Sequence, residues 1–222
     1  MTSTPSRFED LPALPPTSWA VLCMLAYEEE VSGYDLKKWA DWSMRHYYWS
    51  PSFSQVYSEL KRIEQQGYAT SRMADGDGRN RRVYKITDDG RRAVRIWALF
   101  APVDPPMLKH PVVLRVAFGH LSTPDELKSV LREHIDRMRE LERRVAIDAA
   151  AADAEPAWAF AQIAMRWAQR YYASEQVLAR ELLDDIDSAA ARLASGERSE
   201  TFPRPRPGHW REVEKQLADN ED

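Results

Sequence analysis

Residues 50–90 constrain this chain more than any other stretch. They read as a capped amphipathic segment, SPSFSQVYSELKRIEQQGY, then an arginine-rich loop, DGDGRNRR, then a short alternating strand, VYKIT, leading into DDGRRA. Two starts fit the amphipathic segment. With Ser50 as cap, Pro51 suits the first helical position; with Ser52 as cap, Gln55 completes a capping box. Gly67 ends the helix. Phe53, Val56, Tyr57, Leu60 and Ile63 or Glu64 recur at helical spacing and form the inward face. Ser54, Gln55, Ser58, Lys61 and Arg62 are left outside, groups that hydrogen-bond bases or phosphates. Tyr68–Met73 and Arg82–Ile86 read as two strands around a turn at Ala74–Arg81 that Gly76 and Gly78 permit. A surface-reading helix followed by a basic hairpin is the arrangement with which a winged helix-turn-helix grips DNA.

The remaining segments fit around that module. Residues 1–16 carry four prolines and no helical period, so a flexible arm is expected there. Thr17 or Ser18 caps a first helix whose apolar face is Trp19, Leu22, Cys23, Leu25 and Ala26. Ser32 and Gly33 open a second from Tyr34 to about Trp42, with Leu36 and Trp39 or Ala40 inward and Lys37 and Lys38 outward. Thr87, followed by Asp88 and Asp89, starts a fourth helix that runs to about Phe100, and Pro102, Pro105 and Pro106 close a winged domain over 17–101. Beyond Met107 helical signals dominate. Pro111–Leu121 reads as helical, followed by two long helices from about Pro124 to Ala152 and from about Pro156 to Leu193. Their apolar stripes are Leu127, Val130, Leu131, His134 or Ile135, Met138, Leu141 and Val145 on the first, and Trp158, Ile163, Trp167, Tyr171, Val177, Leu178, Leu182 and Ile186 on the second. Stripes so sustained bury more apolar surface than one small subunit can hide, so 107–194 is expected to be a helical dimerisation domain. The tail 195–222 contains PRPRPG and is expected to be largely disordered, with a short helix from His209 to Leu217. The fold class is therefore mostly α with a small β-wing: an N-terminal winged helix-turn-helix plus a C-terminal long-helix dimerisation domain.

A formal net charge of −4 argues against a nucleic-acid partner only if it is spread evenly. From Lys61 to Arg95, ten Lys and Arg stand against five Asp and Glu, a surplus of +5 that leaves −9 for the rest of the chain. No apolar run approaches the roughly 20 residues that span a bilayer, and the first residues lack the basic and apolar regions of a signal peptide. A cytoplasmic protein with no membrane partner is expected. The single cysteine, Cys23, sits among Ala20, Val21, Leu22 and Leu25, so it forms no intrachain disulfide and reads as a buried thiol.

Taken together, SGYDLKK at the second helix, the pattern Ser54, Tyr57, Leu60, Ile63, Glu64, Gly67 and Tyr68 in the third, and RRVYKITDDGRR after the wing tip resemble the PadR family of transcriptional regulators, in its longer form with a helical C-terminal domain. The likeness covers roughly residues 17–190. It implies a homodimer, a winged helix-turn-helix, repression of nearby promoters and, in some members, release by small aromatic or cationic compounds. The Asp-Gly-Asp-Gly wing tip and the proline-rich tail depart from a minimal member of that family.

The DNA-contacting residues expected are Ser52, Ser54, Gln55, Tyr57 and Ser58 on bases or phosphates and Lys61 and Arg62 on phosphates, with Arg79, Asn80 and Arg81 in the wing. Tyr57 also fits a partly buried position, and Arg82 a strand start. The partner is a double-stranded palindromic operator read by two copies of the chain. Trp39, Trp42, Tyr48, Trp49 and Trp97, in a cluster with His46, Tyr47 and Phe100, either frame a pocket for a flat effector or pack as a domain interface. Trp158, Phe160, Trp167, Tyr171 and Tyr172 are expected in core and dimer packing. His46, His110, His120, His134 and His209 are scattered along the sequence, so neither catalytic residues, a metal-ligand cluster nor a cofactor is expected. Gly76 and Gly78 precede an arginine-rich strand rather than a helix, unlike a phosphate-binding loop. A winged module that senses an effector or a partner without binding DNA is the reading from another class.

Overall fold

Local hydrogen-bond chemistry sets most element boundaries. The structure is a computed structural model that describes residues 7–27, 30–74, 81–103, 105, 106, 108–195 and 208–218. In chain order it contains α1 (Pro16–Leu25), β1 (Val31–Ser32), α2 (Gly33–Trp42), α3 (Phe53–Gln65), β2 (Ala69–Ala74), β3 (Arg81–Ile86), α4 (Asp88–Phe100), α5 (Pro111–Ala117), α6 (Pro124–Ala151), α7 (Ala159–Ser195) and α8 (His209–Ala218). Of the two starts open to α3, the structure takes Ser52. The Gln55 amide donates to Ser52 Oγ at 3.3 Å, and the Ser52 amide donates to Gln55 Oε1 at 2.8 Å. Ser50 instead donates to Asp41 Oδ1 at 2.6 Å. Gly67 ends α3 at φ 74°, a left-handed conformation that costs glycine little.

The three strands form one antiparallel sheet in the order β1-β3-β2. Ala69 pairs with Ile86 and Ala74 with Arg81, while Val31 pairs with Tyr84. Strand β1 has only two residues and no alternation to betray it, so the sequence reading missed it. Ser32 serves twice, as its last residue and as the α2 cap, accepting from the Asp35 amide at 3.2 Å.

The chain divides into two compact units, Met1–Leu108 with Glu140–Ala173 and Lys109–Arg139 with Ser174–Asp222, so the units part within α6 and α7 rather than at the prolines before Met107. In the first unit, α1, α2, α3, the sheet and α4 enclose Leu22, Leu25, Leu36, Val56, Leu60, Ile63 and Ile86. Leu11 and Leu14 pack against this core, which shortens the arm expected over 1–16. Three side chains depart from their expected places. Ser18, a candidate cap, is buried and donates to the buried Glu59 carboxylate. Phe53 starts its helix beyond the core, lies half-exposed and stacks on Tyr34 at 5.8 Å. Lys37, expected outward, folds back to Asp41 and Ser50, so its side chain is only 13% exposed.

The same unit holds Val145, Asp148 and Ala149 of α6 and Met165, Ala168 and Tyr172 of α7, all buried. His46 Nε2 stands 2.9 Å from Asp148 Oδ2, Arg45 donates to that carboxylate at 3.1 Å, and the Tyr172 hydroxyl donates to the His46 carbonyl at 3.2 Å. In the second unit, Leu127, Leu131 and Ile135 of α6 pack with Ala179 and Ile186 of α7, with Val112 and Val116 of α5 alongside. Small Ala168 and Ala179 are buried on α7, whereas its large Phe160, Ile163, Trp167, Tyr171 and Leu178 are exposed. Of the stripe expected in core and dimer packing, Ile186 is buried within one chain, and Ile163, Trp167, Tyr171, Val177 and Leu178 are left exposed. The tail helix falls where the sequence placed it, and residues 196–207 and 219–222 lie outside the described residues.

Candidate nucleic-acid interface and aromatic cavity

Val56, Leu60 and Ile63 anchor α3 in the core, so the opposite side of the helix faces solvent. Ser52, Ser54, Gln55, Tyr57, Ser58, Lys61 and Arg62 are all exposed. Their chemistry is not equally free. Ser52 and Gln55 are joined in the cap, and Ser58 Oγ donates to the Gln55 carbonyl at 2.9 Å. Arg62 reaches back to Glu59, at 3.3 Å on the same helix. Lys61 has no ion pair among the described residues, so its ammonium remains available to an outside anion. Tyr57, for which burial was the alternative, is 46% exposed.

Beside α3, the sheet presents a row of arginines that are already paired. Arg82 sits on β3 between Ser71, at 2.8 Å, and Glu64, at 3.1 Å, and lies over the Tyr84 ring. Arg72 binds Glu30 through two hydrogen bonds of 2.8 and 2.5 Å, and Arg81 stands 3.8 Å from Asp35. These pairings were not legible in the sequence, because Glu30 and Arg72 are 42 residues apart. All three arginines remain largely exposed, so exchanging a carboxylate for a phosphate costs little in water-screened surroundings. Arg79 and Asn80 lie outside the described residues.

The aromatic residues of the first unit surround a cavity of about 290 Å³. Trp39, Trp42, Tyr48 and Trp97 all line it, together with Cys23, Met24 and Trp158. Trp49 does not, and packs on Tyr48 at 4.6 Å between ring centroids. Trp158, expected in core or dimer packing, tilts against Trp42 at 4.9 Å on the cavity wall. No local pattern could have linked two tryptophans so far apart in the chain. No lysine, arginine, aspartate or glutamate lines the cavity, so it favours a flat, largely apolar occupant. Burial pushes the Cys23 thiol up to about 11, so it stays protonated and inert.

Residues 21–96 match the model of the transcriptional regulator PadR-like family. The match covers the winged module and not the long helices that follow it. The negative transcriptional regulator PadR of Bacillus subtilis is 25% identical over 120 residues, 54% of this chain and 65% of that protein. The match thus spans just under two thirds of the curated relative. The crystal structure of Bacillus subtilis PadR in complex with operator DNA is similar in fold, with a TM-score of 0.70 and 19% identity over 79% of this chain and 99% of that one. Bacillus subtilis PadR in complex with p-coumaric acid aligns with a TM-score of 0.63 and 19% identity over the same shares. The PadR-like family consists of transcriptional regulators rather than enzymes. Among the described residues, no helix is long and apolar enough to cross a membrane.

Proposed function

We propose that the protein is a sequence-specific DNA-binding regulator, acting as a homodimeric repressor whose grip a small flat effector releases. The observation that carries this reading is the solvent face of α3, with Ser54, Tyr57, Ser58 and Lys61 exposed beside an arginine-edged sheet in a PadR-like module. In that arrangement the first turns of α3 enter the major groove, and Lys61 and the sheet arginines meet phosphates. The related PadR whose structure contains operator DNA supports the partner, and the related complex with p-coumaric acid supports an effector. The aromatic cavity is the candidate effector site.

The exposed row on α7, Phe160, Ile163, Trp167 and Tyr171, supports self-association: its residues follow helical spacing, and Phe160 is 82% exposed. A second copy of the chain is the partner that would shield such a row from water. Two recognition helices would then address the half-sites of a palindrome.

The test is fluorescence anisotropy on DNA from upstream of the protein's own gene and on other genomic fragments, with competitor DNA and a salt series. The reading expects competitor-resistant binding that weakens steeply with salt, and Lys61→Ala should reduce the magnitude of the salt slope by about 1. The second reading, a winged module that does not bind DNA, rests on the carboxylates that already pair Arg72, Arg81 and Arg82. Binding no tighter than to competitor on every fragment would favour it.

A further inference from the structure

The sequence reading expected no metal-ligand cluster, yet the second unit brings three ligating side chains together. His110 precedes α5, His134 lies within α6 and Glu175 lies on α7, and their ligating atoms are all within 4.8 Å of one another. His110 Nε2 is 2.6 Å from Glu175 Oε1, and His134 Nε2 is 3.0 Å from the same oxygen. We infer that His110, His134 and Glu175 form a binding site for one divalent transition-metal ion, with zinc the best match to two imidazoles and a carboxylate. This inference does not rest on DNA binding.

Charge is the first argument. The Glu175 side chain is 9% exposed and each histidine 13%. Among the described residues, no lysine or arginine forms an ion pair with it. A carboxylate buried that far, with no cationic side chain paired to it, favours a cation beside it. A divalent ion bonds to all three groups at once. Donor type is the second argument: imidazole nitrogen and carboxylate oxygen suit zinc, and three protein ligands leave a fourth tetrahedral position for water or another ligand. Distance is the third. Ligands about 2.0–2.2 Å from a tetrahedral ion stand about 3.3 Å apart. The two histidine–glutamate separations, 2.6 and 3.0 Å, are shorter than that, and the three ligating atoms lie within 4.8 Å of one another, so side-chain rotations that lengthen the two short contacts would admit the ion.

The other nitrogen of His110 couples this site to the fold. His110 Nδ1 accepts from the Val113 amide at 3.1 Å and so caps α5. A neutral imidazole has one lone pair and one N–H. While Nδ1 caps the helix, Nε2 carries the proton and points it at Glu175. Coordination through Nε2 moves that proton to Nδ1, where it faces the Val113 N–H donor to donor, so the cap is lost. Metal binding therefore loosens the first turn of α5, which carries the half-exposed Val113 and the exposed Leu114.

The test uses the full chain without a polyhistidine tag, stripped with a chelator and titrated with Zn²⁺ by calorimetry and with Co²⁺ by absorption. One ion per chain, with the visible bands of tetrahedral cobalt, is expected. His134→Ala and Glu175→Gln should each weaken binding on the order of 100-fold or more, since even residues that merely support ligands contribute 10–100-fold. His110→Asn removes a ligand but keeps a good cap, so the fold is preserved while binding falls equally. Zinc should also speed amide exchange in residues 111–117 of the wild type and not of His110→Asn. No binding to the wild type, or binding that survives His110→Asn and His134→Ala, overturns the assignment.

Discussion

Replacing Gly90 with alanine tests how the wing is seated. Gly90 is the third residue of α4, where alanine favours a helix by up to about 1 kcal/mol over glycine. Helix propensity alone therefore predicts a more stable protein. The structure predicts the opposite, because a Cβ at this position overlaps the Tyr68 carbonyl oxygen and comes within 2.8 Å of Ile86 Cγ1. What must yield is backbone. Tyr68 O accepts the Thr87 amide at 3.0 Å, Thr87 Oγ1 donates to the Gly67 carbonyl at 2.8 Å and accepts the Gly90 amide at 3.0 Å, and the adjoining β2 is paired with β3 along its length. Moving α4 away from this corner loses a hydrogen bond, about 1 kcal/mol. Overpacking adds about 1–3 kcal/mol. After the propensity gain is subtracted, the net loss is about 1–3 kcal/mol, or about 2–4 °C in Tm for each kcal/mol in a chain of this size. Urea unfolding and a thermal scan measure it. Gly33→Ala is the matched control: there the new Cβ lies 2.5 Å from Cε1 of Tyr57, a half-exposed ring that can swing away. Its stability should change by no more than about 0.5 kcal/mol, while DNA affinity falls because Tyr57 has left its place. A Gly90→Ala protein as stable as the wild type would refute the close approach and leave helix propensity as the deciding effect.

Two further outcomes follow from the first unit. Burial lowers the affinity of His46 for a proton more than its hydrogen bond to Asp148 raises it, and Arg45 adds to the lowering. His46 therefore folds neutral, and the unfolded chain binds the extra proton below about pH 6.5. Its contribution is fully present above that pH and declines as the pH falls, with a slope of at most about 1.4 kcal/mol per pH unit for one proton. Urea unfolding of the wild type and His46→Gln between pH 8 and pH 5 should show this slope only in the wild type; parallel curves would contradict it. In the cavity, a planar aromatic probe such as p-coumaric acid or a neutral analogue should quench tryptophan emission, since Trp39, Trp42, Trp97 and Trp158 line the walls. Ala20→Phe, which fills the cavity from α1, should abolish the quenching; equal quenching in the variant would place the probe elsewhere.

What short-range chemistry decides was legible in the residues alone. Ser32 with Asp35 and Thr87 with Gly90 are bonds spanning three residues, so those helix starts were readable from their own windows, whereas α3 left Ser50 and Ser52 both open until Ser50 is seen bonded to Asp41. The buried Val56, Leu60 and Ile63 and the exposed Ser54, Ser58 and Lys61 follow from helical period alone. Tertiary structure decided everything whose partner lies far along the chain. The two-residue β1 exists because β3 offers it a ladder, and Ser18 is a buried donor because Glu59 is brought beneath it. The wing arginines looked free in sequence, and Glu30, Asp35 and Glu64 pair them in space. On α7 the sequence reads as one sustained apolar stripe for core and dimer packing; the structure divides it, burying Met165, Ala168, Ala179 and Ile186 and leaving Trp167 and Leu178 outside. Trp158 beside Trp42, and Glu175 between His110 and His134, show the same limit: a site built from distant segments leaves no period or spacing in any one of them.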